Sequence, residues 1–122
     1  MVEDKFKCRV CGLSQYPDLP WGEDSQEPSY FICPCCGVEF GYEDHELENC
    51  LAIRQPWIET RRCTWFSPKE RPTNWDMPAQ IRAVPAAYKG DDDEAWIRIY
   101  LEMREQPLSG LSALDALEKS DR

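Results

Sequence analysis

Cys33-Pro34-Cys35-Cys36-Gly37, read together with Cys8-Arg9-Val10-Cys11-Gly12, decides how this chain folds. Each stretch is a Cys-x-x-Cys-Gly unit. Residues 13–32 separate them, the arrangement in which two hairpin tips present four sulfurs to one ion. A two-residue spacer lets both thiolates of a pair face one point. Gly12 and Gly37 can take up the positive φ that turns backbone N–H groups back toward the sulfurs. The expected ligands are therefore Cys8, Cys11, Cys33 and Cys36, and the expected cofactor is one structural Zn²⁺, with Lys7 or Arg9 offsetting part of the thiolate charge. Four protein ligands fill a tetrahedral shell and leave no position for an activated water, so the metal is expected to be non-catalytic. Iron accepts the same four sulfurs, and spacing alone leaves zinc and iron open.

Working outward, Lys5 to Val10 alternates, with Phe6, Cys8 and Val10 on one side, as in a short strand entering a knuckle. Tyr30-Phe31-Ile32 before the second unit and Val38 to Tyr42 after it read as a second hairpin. Between the units, Pro17, Pro20, Gly22 and Pro28 mark a loop anchored by Tyr16, Leu19 and Trp21, whose rings are expected to cover the metal. Leu47, Leu51, Arg54 and Ile58 recur at helical spacing, with Asp44 as N-cap and Pro56 kinking or ending the helix early. Residues 60–72 read as irregular, with Trp65 and Phe66 docking two rings on the domain. Asn74 or Asp76 caps a short helix through Gln80, Ile81 and Val84 that stops at Pro85. Asp91-Asp92-Asp93 sets carboxylates at the positive end of a last long helix carrying Ala95, Trp96, Ile99, Tyr100 and Met103. The run from Asp91 to Glu94 reads as a solvated helix start. Pro107 and Gly110 break that helix, and Ser112-Ala113-Leu114-Asp115 starts a final turn. Trp57, Trp65, Trp75 and Trp96 are expected to pack internally.

The totals narrow the function. With 122 residues the chain has room for one small unit and an appendage. It carries 14 basic and 23 acidic residues, a net charge of −9, which repels phosphate backbones and attracts basic proteins. Nucleic acid is therefore not an expected partner. No apolar run approaches a membrane span, and Met1-Val2-Glu3-Asp4-Lys5 lacks the pattern of a secretory signal, so the expected location is cytoplasmic. Thiols in that compartment are reduced, which favours metal ligation over disulfides for the seven cysteines. Cys35, Cys50, Cys63 and His45 are left over. Cys50 reads as a small hydrophobe, Cys35 as able only to exchange with Cys33 or Cys36, and His45 as a surface or capping residue. No nucleophile elbow, phosphate-binding glycine loop or HExxH pattern occurs, and no enzyme activity is expected.

Cys33-Pro34-Cys35-Cys36-Gly37 followed by Val38-Glu39-Phe40-Gly41-Tyr42-Glu43-Asp44 resembles the cysteine-rich CPCC-type zinc-ribbon proteins of bacteria. The resemblance extends through Pro20-Trp21-Gly22-Glu23-Asp24, Trp65-Phe66-Ser67-Pro68-Lys69 and Pro72-Thr73-Asn74-Trp75, and covers roughly residues 6 to 88. It implies a metal-stabilised binding protein, and some small bacterial proteins of this sort act as cytosolic immunity partners of toxins. The knuckles also resemble rubredoxin, which holds one iron for electron transfer. The fold class expected is thus α+β: a small rubredoxin-like zinc ribbon of short antiparallel β-hairpins followed by two to four helices. The zinc-ribbon module spans residues 1–44, a helical and irregular part packed on it 45–89, and a C-terminal helical extension 90–122. The leading functional expectation is a non-catalytic zinc protein that binds a basic protein, as an immunity protein binds a toxin. Iron electron transfer and a nucleic-acid-binding ribbon are the alternatives.

Overall fold

A computed structural model describes residues 4–105. Pro107, Gly110 and the Ser112–Asp115 stretch lie outside them. The described chain contains three α-helices, α1 (Leu47–Glu59), α2 (Met77–Arg82) and α3 (Asp93–Glu105). Three short 3-10 turns, Asp4–Phe6, Pro68–Glu70 and Ala86–Tyr88, accompany them.

No β-strand forms among the described residues, which corrects the expected α+β ribbon of hairpins. What exists instead is one isolated antiparallel bridge at each Cys-x-x-Cys-Gly unit, Lys7 with Ser14 and Ile32 with Glu39. The cause is local. At the first unit the extended path begins only after the Asp4–Phe6 turn, and beyond the bridge the chain meets Pro17 and Pro20, which have no N–H to give a ladder. At the second, Tyr30 takes φ of +63° on one arm and Gly41 φ of +96° on the other. Both values lie outside the extended region, so pairing stops after one bridge. The alternation of Phe6, Cys8 and Val10 belongs to a turn, with all of Cys8, Val10 and Cys11 buried.

Helix α1 begins at an N-cap formed by Glu46 rather than Asp44, and it runs through Pro56 to Glu59. Pro56 sits one turn from the end, where it forgoes one backbone bond while its own carbonyl accepts from the N–H groups of both Thr60 and Arg61, each at 2.9 Å. The buried face is Cys50, Arg54, Trp57 and Ile58; Leu47 is exposed. Helix α2 is capped by Asp76 of the two candidates, whose side chain accepts from the Ala79 N–H at 3.0 Å, and it carries Gln80 and Ile81 but ends at Arg82, short of Val84. Helix α3 buries Asp93, Ile97 and Tyr100; of the apolar residues the sequence highlights, Tyr100 is in the core and Trp96 packs against it, while Ala95 is exposed. Asp93 is therefore not solvated, although Asp91, Asp92 and Glu94 are exposed.

One continuous cluster joins both cysteine units to Trp57, Trp65, Ile81, Ile97 and Tyr100, with Trp75 and Trp96 half-buried against it. Trp75 packs edge-on to Trp65 at 5.3 Å and to Tyr100 at 6.5 Å between ring centroids. Phe66 does not dock; it is exposed.

Candidate metal centre

Each Cys-x-x-Cys-Gly unit closes by the same two contacts. The Cys8 N–H donates to the Leu13 carbonyl and the Cys33 N–H to the Val38 carbonyl, at 3.0 and 2.9 Å. The glycine N–H groups, Gly12 at φ +85° and Gly37 at φ +84°, donate back to the carbonyls of Cys8 and Cys33, both at 3.0 Å. The glycine amides themselves thus bind carbonyl oxygen, whereas the sequence leads one to expect N–H groups turned toward sulfur. The amide that reaches a sulfur is that of Val10, 3.4 Å from Cys8 Sγ.

The two turns face each other. The Sγ atoms of Cys8, Cys11, Cys33 and Cys36 lie within 4.8 Å of one another, and all four residues are buried. Cys8 Sγ is 3.7 Å from Cys36 Sγ, and Cys11 Sγ is 3.7 Å from Cys33 Sγ. A disulfide would require roughly 2 Å. A tetrahedron with metal–sulfur bonds of about 2.3 Å has edges of about 3.8 Å. The spacing therefore fits four ligands around one ion, and the donor set is compatible with a metal.

Burial pushes the Cys8, Cys11 and Cys36 thiols well above the ordinary thiol value of 9.0. Burial acts on Cys33 in the same sense, but hydrogen bonds from Cys11, Cys36 and Cys8 outweigh it and hold that thiol well below 9.0. One sulfur of the four thus carries negative charge most readily, solvated by its neighbours. Loading an ion onto four thiolates must release the remaining protons, so affinity falls as pH falls.

The supports of the site come from distant parts of the chain. Gln80 on α2 donates through Nε2 to the Cys11 carbonyl at 3.2 Å and to Cys35 Sγ at 3.3 Å, while its Oε1 accepts from Trp75 Nε1 at 2.8 Å. Gln15 Nε2 lies 3.6 Å from Cys33 Sγ. Arg61 donates to the Cys36 carbonyl at 3.2 Å. Arg54, wholly buried, donates to the carbonyls of Val10 at 2.6 Å and Arg9 at 2.8 Å, gripping the first turn from behind. Sequence reasoning missed Gln15, Gln80 and Arg61 as partners of the site, because a glutamine or arginine far from a knuckle carries no spacing signal.

The expected charge partners are engaged elsewhere. Lys7 pairs with Asp4 at 3.8 Å. The Arg9 guanidinium stacks on Trp21 at 3.9 Å and on Tyr88 at 4.6 Å, and donates to the carbonyls of Asp44 and Ser25. Trp21 in turn donates to the buried Asp44 carboxylate at 2.9 Å, whose other oxygen accepts from the Gly41 N–H at 2.7 Å. Asp44 is thus a buried anchor rather than a helix cap. Tyr16 stays exposed, edge-on to Phe6.

None of the leftover residues joins the four, although Cys35 lies within hydrogen-bond reach of Cys11. Cys35 turns to Gln80. Cys50 is buried beside the Asp44 carbonyl, and Cys63 is buried under the Trp57 turn, whose carbonyl accepts the Cys63 N–H at 2.8 Å. Burial, helped at Cys50 by the Asp44 charge, pushes both thiols up to about 12. His45 bonds the Gly41 carbonyl at 2.7 Å and meets Trp21 edge-on. Among the described residues no second cluster of metal-ligating side chains occurs. None of the described helices is long and apolar enough to cross a membrane.

No family model matches the chain, and no solved structure matches it. Two proteins of Bacillus subtilis (strain 168) are similar to it. One is uncharacterized protein YoaQ, 42% identical over 48 residues, which covers 38% of this chain and 41% of that protein. The other is uncharacterized protein YozI, 27% identical over 85 residues, which covers 63% of this chain and 70% of that protein. The chain matches about two fifths of the first relative's length, and neither relative brings an activity with it.

Proposed function

We propose that the protein binds one Zn²⁺ through Cys8, Cys11, Cys33 and Cys36, that this ion is structural, and that the protein works without catalysis by binding a basic protein in the cytoplasm. The observation that carries the metal reading is the convergence of four buried sulfurs within 4.8 Å of one another, with two pairs 3.7 Å apart. The closed shell supports a structural role. Such an ion contributes on the order of 10 to 16 kcal/mol to folding at neutral pH, more than the net stability of a typical small domain. Arg54 and Arg61, each donating to carbonyls of a cysteine turn, offset part of the charge of a four-thiolate site.

The net charge of −9 supports a basic partner, because opposite charge speeds encounter. An immunity protein neutralising a bacterial toxin is the specific form of this reading, supported by the resemblance to CPCC-type bacterial proteins. Nucleic acid is disfavoured further by the engagement of N-terminal cations within the chain, Lys5 in a surface pair with Glu23 at 2.8 Å and Arg9 between two rings.

Elemental analysis of the natively expressed protein tests the metal, with about one zinc per chain and no colour expected. A red protein with iron at that stoichiometry would replace this reading with electron transfer. Co-purification from the source organism, combined with the product of the neighbouring gene, tests the partner. A basic protein retained at low salt and released at high salt is expected, and retention of none refutes protein binding.

A further inference from the structure

Tyr30 has φ of +63°, a conformation a bulky side chain rarely adopts. Its consequence lies in what faces solvent. In a regular strand adjacent side chains alternate between faces, so one of each pair can be buried. Here three successive residues, Tyr30, Phe31 and Ile32, are 59%, 59% and 46% exposed. An exposed apolar run of this kind, held in a strained backbone, marks a surface that meets something.

The run is rigidly based. Tyr30 N–H donates to the Phe40 carbonyl at 3.1 Å, and Phe40 N–H to the Phe31 carbonyl at 3.0 Å. In this bridge pattern the N–H and C=O of Ile32 point away from residues 38–40, and neither bonds another described residue. Beside the run lies an open cleft of about 450 Å³ walled by Phe31, Ile32, Pro34 and Phe40. Its two charged lining residues are both carboxylates, Asp18 and Glu70. Neither forms an ion pair with a described residue. Pro34, between two cysteines of the second unit, is fixed from outside by the Ser67 N–H on its carbonyl at 2.8 Å.

We propose that Tyr30–Ile32 and this cleft form the docking surface for an extended segment of a partner protein in which apolar side chains are flanked by lysine or arginine. The inference rests on the reading that the protein binds a basic protein. An apolar side chain fills the cleft, flanking cations reach Asp18 and Glu70, and the free edge of Ile32 offers one backbone pairing. The cysteine cluster fixes the Cys33–Pro34 wall, so docking depends on the metal without touching it.

The test uses the full zinc-loaded chain and two acetylated, amidated pentapeptides, Lys-Leu-Phe-Leu-Lys and Glu-Leu-Phe-Leu-Glu, titrated by NMR. The lysine peptide is expected to shift the amides of residues 30–33 and those around Asp18 and Glu70. Phe31→Ser weakens it by about tenfold or more. Asp18→Lys combined with Glu70→Lys weakens it by about tenfold and lets the glutamate peptide bind. All three sites are exposed, and unchanged zinc content and melting temperature confirm folding of the variants. No binding, shifts elsewhere on the surface, or equal affinity for both peptides overturns the proposal. Co-purification separates the two levels. A basic partner retained equally by wild type and Phe31→Ser overturns this docking surface alone, whereas no partner retained by wild type overturns the reading beneath it as well.

Discussion

Arg54 Nη1 meets Asp93 Oδ1 at 2.8 Å, with the arginine side chain wholly removed from solvent and the carboxylate nearly so. The contact joins α1 to the start of α3. The same guanidinium donates to the carbonyls of Arg9, Val10 and Tyr88, and the second Asp93 oxygen accepts from the Gly90 N–H at 2.9 Å. A buried ion pair is tolerated only when the remaining donors and acceptors are also satisfied, and here they are.

Removing one partner should therefore cost far more than a surface pair would. Arg54→Met leaves a buried carboxylate and three carbonyls without their donor, and the expected loss is about 3–5 kcal/mol. Urea unfolding of the metal-loaded protein checks this. By contrast Arg82→Ala, which breaks the exposed pair with Glu94, should shift the midpoint little.

The two knuckle glycines differ in what an added methyl would meet. At Gly12 a Cβ would lie 2.0 Å from the Gln80 carbonyl oxygen, while at Gly37 it would lie 3.2 Å from the Phe66 ring, which is exposed and free to move. Both positions share the strain of positive φ. Gly12→Ala is expected to displace α2 and lower stability by several kcal/mol, and Gly37→Ala by about 1–2 kcal/mol. Thermal unfolding of the two variants side by side measures the difference, and equal losses would argue against the close approach of α2 to the first turn.

Much of the site was legible in the sequence and much of the fold was not. Cys-x-x-Cys-Gly is local chemistry, so the turns at Cys8–Gly12 and Cys33–Gly37 were readable from spacing, as was the Asp76 cap. The hairpin reading failed because three alternating residues match a tight turn as well as a strand, and because the positive φ of Tyr30 has no sequence mark. The helix faces were misjudged where a charge is buried. Asp93 read as part of a solvated helix start, and although Arg54 stood on the helical stripe with Ile58, its pairing with Asp93 spans segments that only the folded chain brings together. Asp44 likewise read as a cap, although its partner Trp21 lies in the loop between the cysteine units.

Stability should also depend on alkaline pH through thiols outside the cluster. Cys50 and Cys63 titrate near 12 in the folded chain, against about 9 when unfolded. Between those values the folded state holds more protons than the unfolded state, so stability is fully present below about pH 9 and declines as pH rises toward 12. Urea midpoints at pH 8, 9 and 10 are expected to fall for the metal-loaded wild type. A variant with Cys50→Ala and Cys63→Ala should start less stable and show a shallower decline. An unchanged slope would mean that these thiols do not drive the effect.

The most direct measurement is the zinc content per chain of the native protein and of its seven single Cys→Ser variants. Wild type, Cys35→Ser, Cys50→Ser and Cys63→Ser are predicted to retain about one ion, and Cys8→Ser, Cys11→Ser, Cys33→Ser and Cys36→Ser to lose it under a competing chelator. Full retention after replacement of any one of those four, or a wild-type protein whose thiols prove to be oxidised in pairs, would contradict the account.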